Sequence, residues 1–159
     1  MVELELCRAL RSFIEDAVKD LVLPVKDEEN GRTPTVFNGY LPAKKPGDRG
    51  DVEKKYFPFI VVRPDTGTSD RESTRVTVSI IFGAYSKDDS GYEHCMNMLS
   101  RVRNALMSMP FLTLADRYQL QDEISWENYP DHPWPYWQVD MKTQWLFISP
   151  QPISGVEDL

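Results

Sequence analysis

At 159 residues the chain suits one domain of ordinary size, able to bury roughly two-thirds of its unfolded surface without a metal or a disulfide. With 41% apolar and 27% charged residues it matches the globular average, which excludes wholesale disorder and a membrane-embedded class. The formal charge of -7 excludes an affinity built on neutralising phosphates, which needs clustered Lys and Arg. A protein that surrounds DNA without gripping it is still allowed.

From Val2 to Leu23 the apolar residues Leu4, Cys7, Leu10, Phe13 or Ile14, Ala17 or Val18 and Leu21 recur at helical spacing, while Glu3, Arg8, Arg11, Glu15, Asp16 and Lys19 fill the other faces. This predicts an amphipathic helix that ends before Pro24. Acidic residues stand where a secretory signal carries basic ones, and polar residues interrupt any apolar core, so an intracellular protein is expected. "KDEENGRTP" reads as a loop and "TVFNGYLP" as a short strand. The segment 42–55, "PAKKPGDRGDVEKK", mixes Pro, Gly and both charge signs without periodicity, and is expected to be a long mobile loop.

"YFPFIVVRP" and "STRVTVSIIFGAYS" are rich in β-branched and aromatic residues, and "PDTGTSDRE" between them carries turn chemistry, so a hairpin is expected. In its second strand Val76, Val78 and Ile80 share one face, and Thr77, Ser79 and Ile81 the other. A second helix follows in "SGYEHCMNMLSRVRNALMSMP", opened by Ser90 and Glu93 at capping-box spacing and carrying Cys95, Leu99, Val102, Leu106 and Met109 in one stripe. "YQLQDEISW" and "YWQVDMKTQWLFI" then alternate apolar and polar residues as two further strands. This order predicts an α+β fold: a mixed or antiparallel sheet of about five strands with two helices packed on one face. The segment 150–159 is expected to be a short flexible tail.

The residues offer little for catalysis. There are two histidines, His94 and His132, and neither belongs to a known nucleophile motif. No phosphate-cradling or dinucleotide glycine motif occurs, and "SKDDSGYE" lacks the ligand spacing and central glycine of an EF-hand. Asp88 and Asp89 instead suit the positive end of the second helix. Cys7 and Cys95 fall at apolar helix positions and read as buried thiols. His94 and Cys95, adjacent on a helix, point about 100° apart, a poor arrangement for one metal. "RGD" at 49–51 reads as three common residues of a charged loop. No catalytic, metal or cofactor site is expected.

Two segments suit contacts. "YPDHPWPYW" (129–137) places Trp134, Tyr136 and Trp137 among three prolines, each of which fixes its φ and lacks a backbone donor. This stiff link reads as a structural corner or subunit contact, the alternative being a carbohydrate or peptide platform on a monomer. Lys44, Lys45, Arg49, Lys54 and Lys55 make the long loop weakly basic within an acidic chain. They are candidates for a loop that keeps itself solvated, orders on a partner or lies near nucleic acid.

"YFPFIVVRP", "TVSIIFGAYSKDDSGYEHCMNMLSRVRNAL", "WENYPDHPWPYW" and the closing "FISPQP" resemble the tail terminator, or tail completion, proteins encoded in tail-assembly modules of Gram-positive bacterial prophages. The resemblance covers about Tyr56 to Pro152. It implies a non-enzymatic, cofactor-free subunit that closes into a homo-oligomeric, hexameric ring. Such a ring caps the tail tube, meets the head completion protein and lets DNA pass without specific binding. It also implies residence first in the host cytoplasm and then in the virion tail. A head-tail joining or other minor tail protein is the near alternative.

Overall fold

The computed structural model describes residues 2–43, 46, 55–129 and 133–149. The elements are α1 (Val2–Val18), β1 (Thr35–Asn38), β2 (Phe59–Ser69), β3 (Ser73–Tyr85), α2 (Gly91–Met107), a 3-10 turn (Pro110–Leu112), β4 (Thr113–Leu114), β5 (Tyr118–Leu120), β6 (Ser125–Asn128) and β7 (Tyr136–Ile148). The strands form one curled mixed sheet in the order β1-β2-β3-β7-β5-β4, with β6 also paired to β7. Only β1 and β2 run parallel; the other pairs are antiparallel. The fold class is therefore α+β, with seven strands where the sequence pattern predicts about five.

Both helices lie on one face. Leu6, Cys7, Leu10, Ile14 and Val18 of α1 meet Cys95, Met98, Leu99, Val102 and Leu106 of α2 in a single core. The sheet contributes Ile60 and Val62, the alternate residues Val76, Val78, Ile80, Phe82 and Ala84, and Val139, Met141, Trp145 and Phe147. The period-two pattern of β3 and β7 thus decides which face is covered. Both thiols are free and buried. Burial pushes Cys7 up to about 11 and Cys95 to about 12.

Four local differences from the sequence pattern have physical causes. Helix α1 stops at Val18 rather than near Leu23: Leu21 N donates to Val18 O at 3.0 Å in a tight turn, and Leu23, which precedes a proline, is biased to extended backbone. Leu23 instead bridges to Arg32, while Leu21 and Leu23 remain buried in extended chain. The hairpin is longer than predicted: β2 runs through Pro64 to Ser69, its register shifting between Pro64 and Thr66. A bulge is where a sheet tolerates proline. The actual turn is short, and Asp70 Oδ1 accepts the amides of Glu72 and Ser73 at 2.8 and 2.9 Å.

The third difference concerns "YQLQDEISW", which is two strands. Gln119 and Leu120 pair with Leu146 and Trp145, and Ser125 with Lys142, so the four residues 121–124 face only 143–144. Inserting an even number of residues preserves which side faces the helices.

The fourth difference is at the start of α2. Ser90 is the N-cap residue but makes no side-chain capping bond. Asp88 orders this corner instead, with Oδ1 accepting from the Ser90 amide at 3.0 Å, from Ser86 Oγ at 2.8 Å and from Ser90 Oγ. These bonds hold its carboxyl below the ordinary value of 3.8, the Ser90 hydroxyl first. Because the folded value is depressed, the stabilisation is present above the unfolded value and is lost as pH falls through the folded one. Asp88→Asn should therefore destabilise the protein at neutral pH, and the gap between variant and wild type in urea melts should close as the solution is acidified.

Candidate interaction surface

Among the described residues, neither α-helix lies on the second face of the sheet. At one side it carries a small apolar cluster, Phe59, Val61 and Ile81, with Phe37, Leu41, Tyr56 and Phe57 packed around it. Beside this cluster the strand register lines up two rows. One runs Arg63, Ser79, Lys142, Ser125 across β2, β3, β7 and β6; the next runs Val61, Ile81, Asp140, Glu127. Together with Asp65 and Tyr129, most of these residues line an open groove of about 430 Å³.

The groove's charges are partly matched. The bulge turns Asp65 towards Ser79, whose hydroxyl donates to it, while Lys142 Nζ stands 3.9 Å from the same carboxylate. Arg63 Nε donates to Gly39 O at 2.9 Å, and its guanidinium lies 4.0 Å from the centre of the Tyr40 ring. That carbonyl belongs to a tight turn at φ 82°, a backbone region open to glycine at low cost. Asp140 and Glu127 face each other directly, an unfavourable like-charge pair. Asp140 is offset by donors from Tyr129 Oη and, at 3.3 Å, Gln138 Nε2.

The hydrogen bond to Asp140, with some desolvation, pushes the Tyr129 phenol up to about 12. A raised phenol stabilises the fold below its unfolded value near 10 and loses that contribution as pH rises through the folded value. Following Tyr129 ionisation by NMR or ultraviolet absorbance should show Asp140→Asn bringing the phenol back towards 10. An unchanged titration would mean that this bond does not form in solution.

The aromatic link divides between inside and outside. Trp134 is 58% exposed, and its indole N–H donates to Lys87 O at 3.1 Å. Tyr136 is 5% exposed, wedged between Phe57 and Tyr85 with ring centres 4.9 and 5.6 Å away. Its ring thus packs within the chain, leaving little surface for another molecule. Trp137 is half-buried against the main core, and its indole N–H donates to Ser86 O at 3.0 Å. Ser86 N donates in return to Pro135 O at 2.9 Å. Residues 133–137 therefore form a corner that clamps residues 85–87 and leaves Trp134 outward.

Of the basic loop candidates, Lys55 is exposed, with Nζ 5.1 Å from the centre of the Tyr56 ring. Lys44, Lys45, Arg49, Lys54, the "RGD" triplet, His132 and the tail at 150–159 lie outside the described residues. His94 sits on α2, on the covered side of the sheet.

Sequence reasoning did not single out Arg63, Asp65, Tyr129 or Lys142. Alternation in β7 does put Asp140 and Lys142 on the polar face, but the partners from β2 and β3 depend on a register that a misplaced turn concealed.

Among the described residues no three or more of His, Cys, Asp and Glu are grouped to hold a metal ion. Among them, no helix is long and apolar enough to cross a membrane. The arrangement suits polar and aromatic contacts with another surface. Neither a model of any known protein family nor any curated protein matches the chain.

Proposed function

We propose that this chain is a structural subunit of virion assembly: it closes into a hexameric ring, caps the phage tail tube, ends tail elongation and joins the tail to the head completion protein. The observation that supports this reading best is the one-sided sheet. Two helices cover one face of seven strands, while the other carries a mixed-charge groove beside a small buried apolar cluster. Such a face suits contact with a second protein surface better than it suits enclosing a small molecule. The resemblance of the strand and loop phrases to tail terminators supplies the identity of the assembly.

On this reading the subunit works first in the host cytoplasm and then in the virion tail. The charge of -7 suits a channel that passes DNA without holding it. The test is light scattering after size exclusion across a concentration series, with negative-stain imaging alone and with tail tubes lacking their cap. Rings of six copies on the ends of tubes are expected. A chain that is monomeric at every concentration and ignores tube ends would overturn the proposal. Specific retention on a glycan or peptide array would then favour recognition through Trp134.

A further inference from the structure

We propose that copies of this chain join head to tail through a knob and a socket: Phe111, flanked by Asp116, enters the basic-rimmed pocket over Phe57 of the next copy. This contact rests on the ring reading and specifies how the ring closes.

The knob is unusual on two independent grounds. Phe111 is 93% exposed, an aromatic ring left almost entirely in water. Its backbone is left-handed at φ 56°, as is that of Leu112 at φ 50°, a region that non-glycine residues rarely adopt. The turn is nevertheless tightly made: Leu112 N donates to Met109 O and Thr113 Oγ1 to Phe111 O, each at 3.0 Å. Leu112 packs on the main core while Phe111 points away. A second turn follows at once, with Ala115 and Asp116 at φ 53° and 55° and Arg117 N donating to Leu114 O at 3.1 Å. It holds Asp116 exposed on the same terminal hairpin, β4-β5. Strained, hydrogen-bonded turns that hold an apolar ring in water are where contact sites gather.

The socket is at the other end of the molecule. A pocket of about 300 Å³ has Val25 and Phe57 as apolar wall, with Lys26, Arg32 and Lys55 outnumbering Asp27 and Glu28 around it. Arg32 Nε is buried without a hydrogen-bond partner among the described residues, although its Nη2 donates to Phe57 O at 2.9 Å.

Both helices separate the two ends. The start of α1 meets the knob hairpin, through Tyr118 Oη to Val2 O and Arg117 to Glu5, each at 3.4 Å. Its end leads to the socket, where Thr33 Oγ1 donates to Lys19 O at 3.5 Å and Leu23 bridges to Arg32. Seventeen helical residues put the ends roughly 25 Å apart. α2 runs the opposite way, from the Tyr136 and Phe57 end to Met109 and Phe111.

Different, complementary patches at opposite ends make a heterologous contact, the kind that closes rings. The charge signs fit a second copy as occupant: Asp116 accompanies the knob, and three bases against two acids line the socket.

The test uses full-length protein. Phe111→Ser, Asp116→Lys and Lys55→Glu should each leave the melting curve nearly unchanged, because all three side chains are exposed. Phe111→Ser should raise the subunit dissociation constant about thirtyfold or more. Each charge reversal should weaken assembly, and the double reversal should restore it. With Ala115→Cys beside the knob and Glu28→Cys on the socket rim, which leave Phe111, Asp116 and Lys55 in place, a short bis-maleimide should give a ladder of covalent oligomers, while wild type, whose two cysteines are buried, gives none. Intact rings from Phe111→Ser, or no ladder from rings that do form, would overturn this contact and leave the ring reading standing. A wild-type chain that stays monomeric even with tube ends would overturn both.

Discussion

Trp145→Ala is expected to cost about 3–5 kcal/mol of folding stability. The side chain is fully buried at the centre of the sheet, paired in register with Val76 of β3 and Leu120 of β5. It also anchors a buried polar relay: its indole N–H donates to Thr143 Oγ1 at 2.8 Å, and that hydroxyl donates to Val78 O at 3.0 Å. Truncation opens a cavity where three strands meet, and it removes the donor to a buried hydroxyl. Because domains of this size are stable by only about 5–15 kcal/mol, the variant should unfold at a much lower urea midpoint with an unchanged slope. Thr143→Val separates the two contributions. It nearly keeps the volume but strands the indole N–H, and should cost about 1–3 kcal/mol. A loss below about 1 kcal/mol for Trp145→Ala would mean that the core rearranges around the cavity, contrary to the packing described here.

Trp145 was legible in the sequence, and the reason shows which features a single chain reveals. Alternation in β7 is long and regular enough that parity alone assigns Val139, Met141, Thr143, Trp145 and Phe147 to the covered face, all of them buried. Helical spacing gave the inward stripe of α2 in the same way. Turns are less legible. "PDTGTSDRE" carries every local sign of a turn, but thirteen residues of β3 offer enough pairing to draw Pro64 into a bulged strand. That tertiary pairing outweighed local chemistry. The groove is hidden for the same reason. Asp65 reaches Ser79 only because of the bulge, and Tyr129 reaches Asp140 only because β6 pairs back on β7, so neither contact could be placed without the register. Phe111 was hidden for another reason: "SMPFLTL" offers no glycine or asparagine to announce a left-handed turn.

Gly91→Ala should destabilise by about 1–3 kcal/mol, opposite in sign to the usual effect of alanine in a helix. Glycine at the first position of α2 costs helix propensity and unfolded-state entropy, so alanine would ordinarily gain up to about 1 kcal/mol. The space is already occupied. A Cβ at Gly91 would stand 2.1 Å from Trp137 Nε1 and 2.3 Å from its Cδ1 and Cε2. The indole cannot withdraw freely, because it packs on the core and donates to Ser86 O at 3.0 Å. Close approach of helix to ring, rather than a special φ, is what requires glycine. The comparison that isolates this is a double-mutant cycle with Trp137→Ala, which removes the nearest atoms the new Cβ would meet. The two substitutions should then couple by at least about 0.5 kcal/mol. Additive effects, or a stabilising Gly91→Ala, would place Trp137 away from the helix and free it as an external contact. Strong coupling would assign Trp137 to the corner's internal packing.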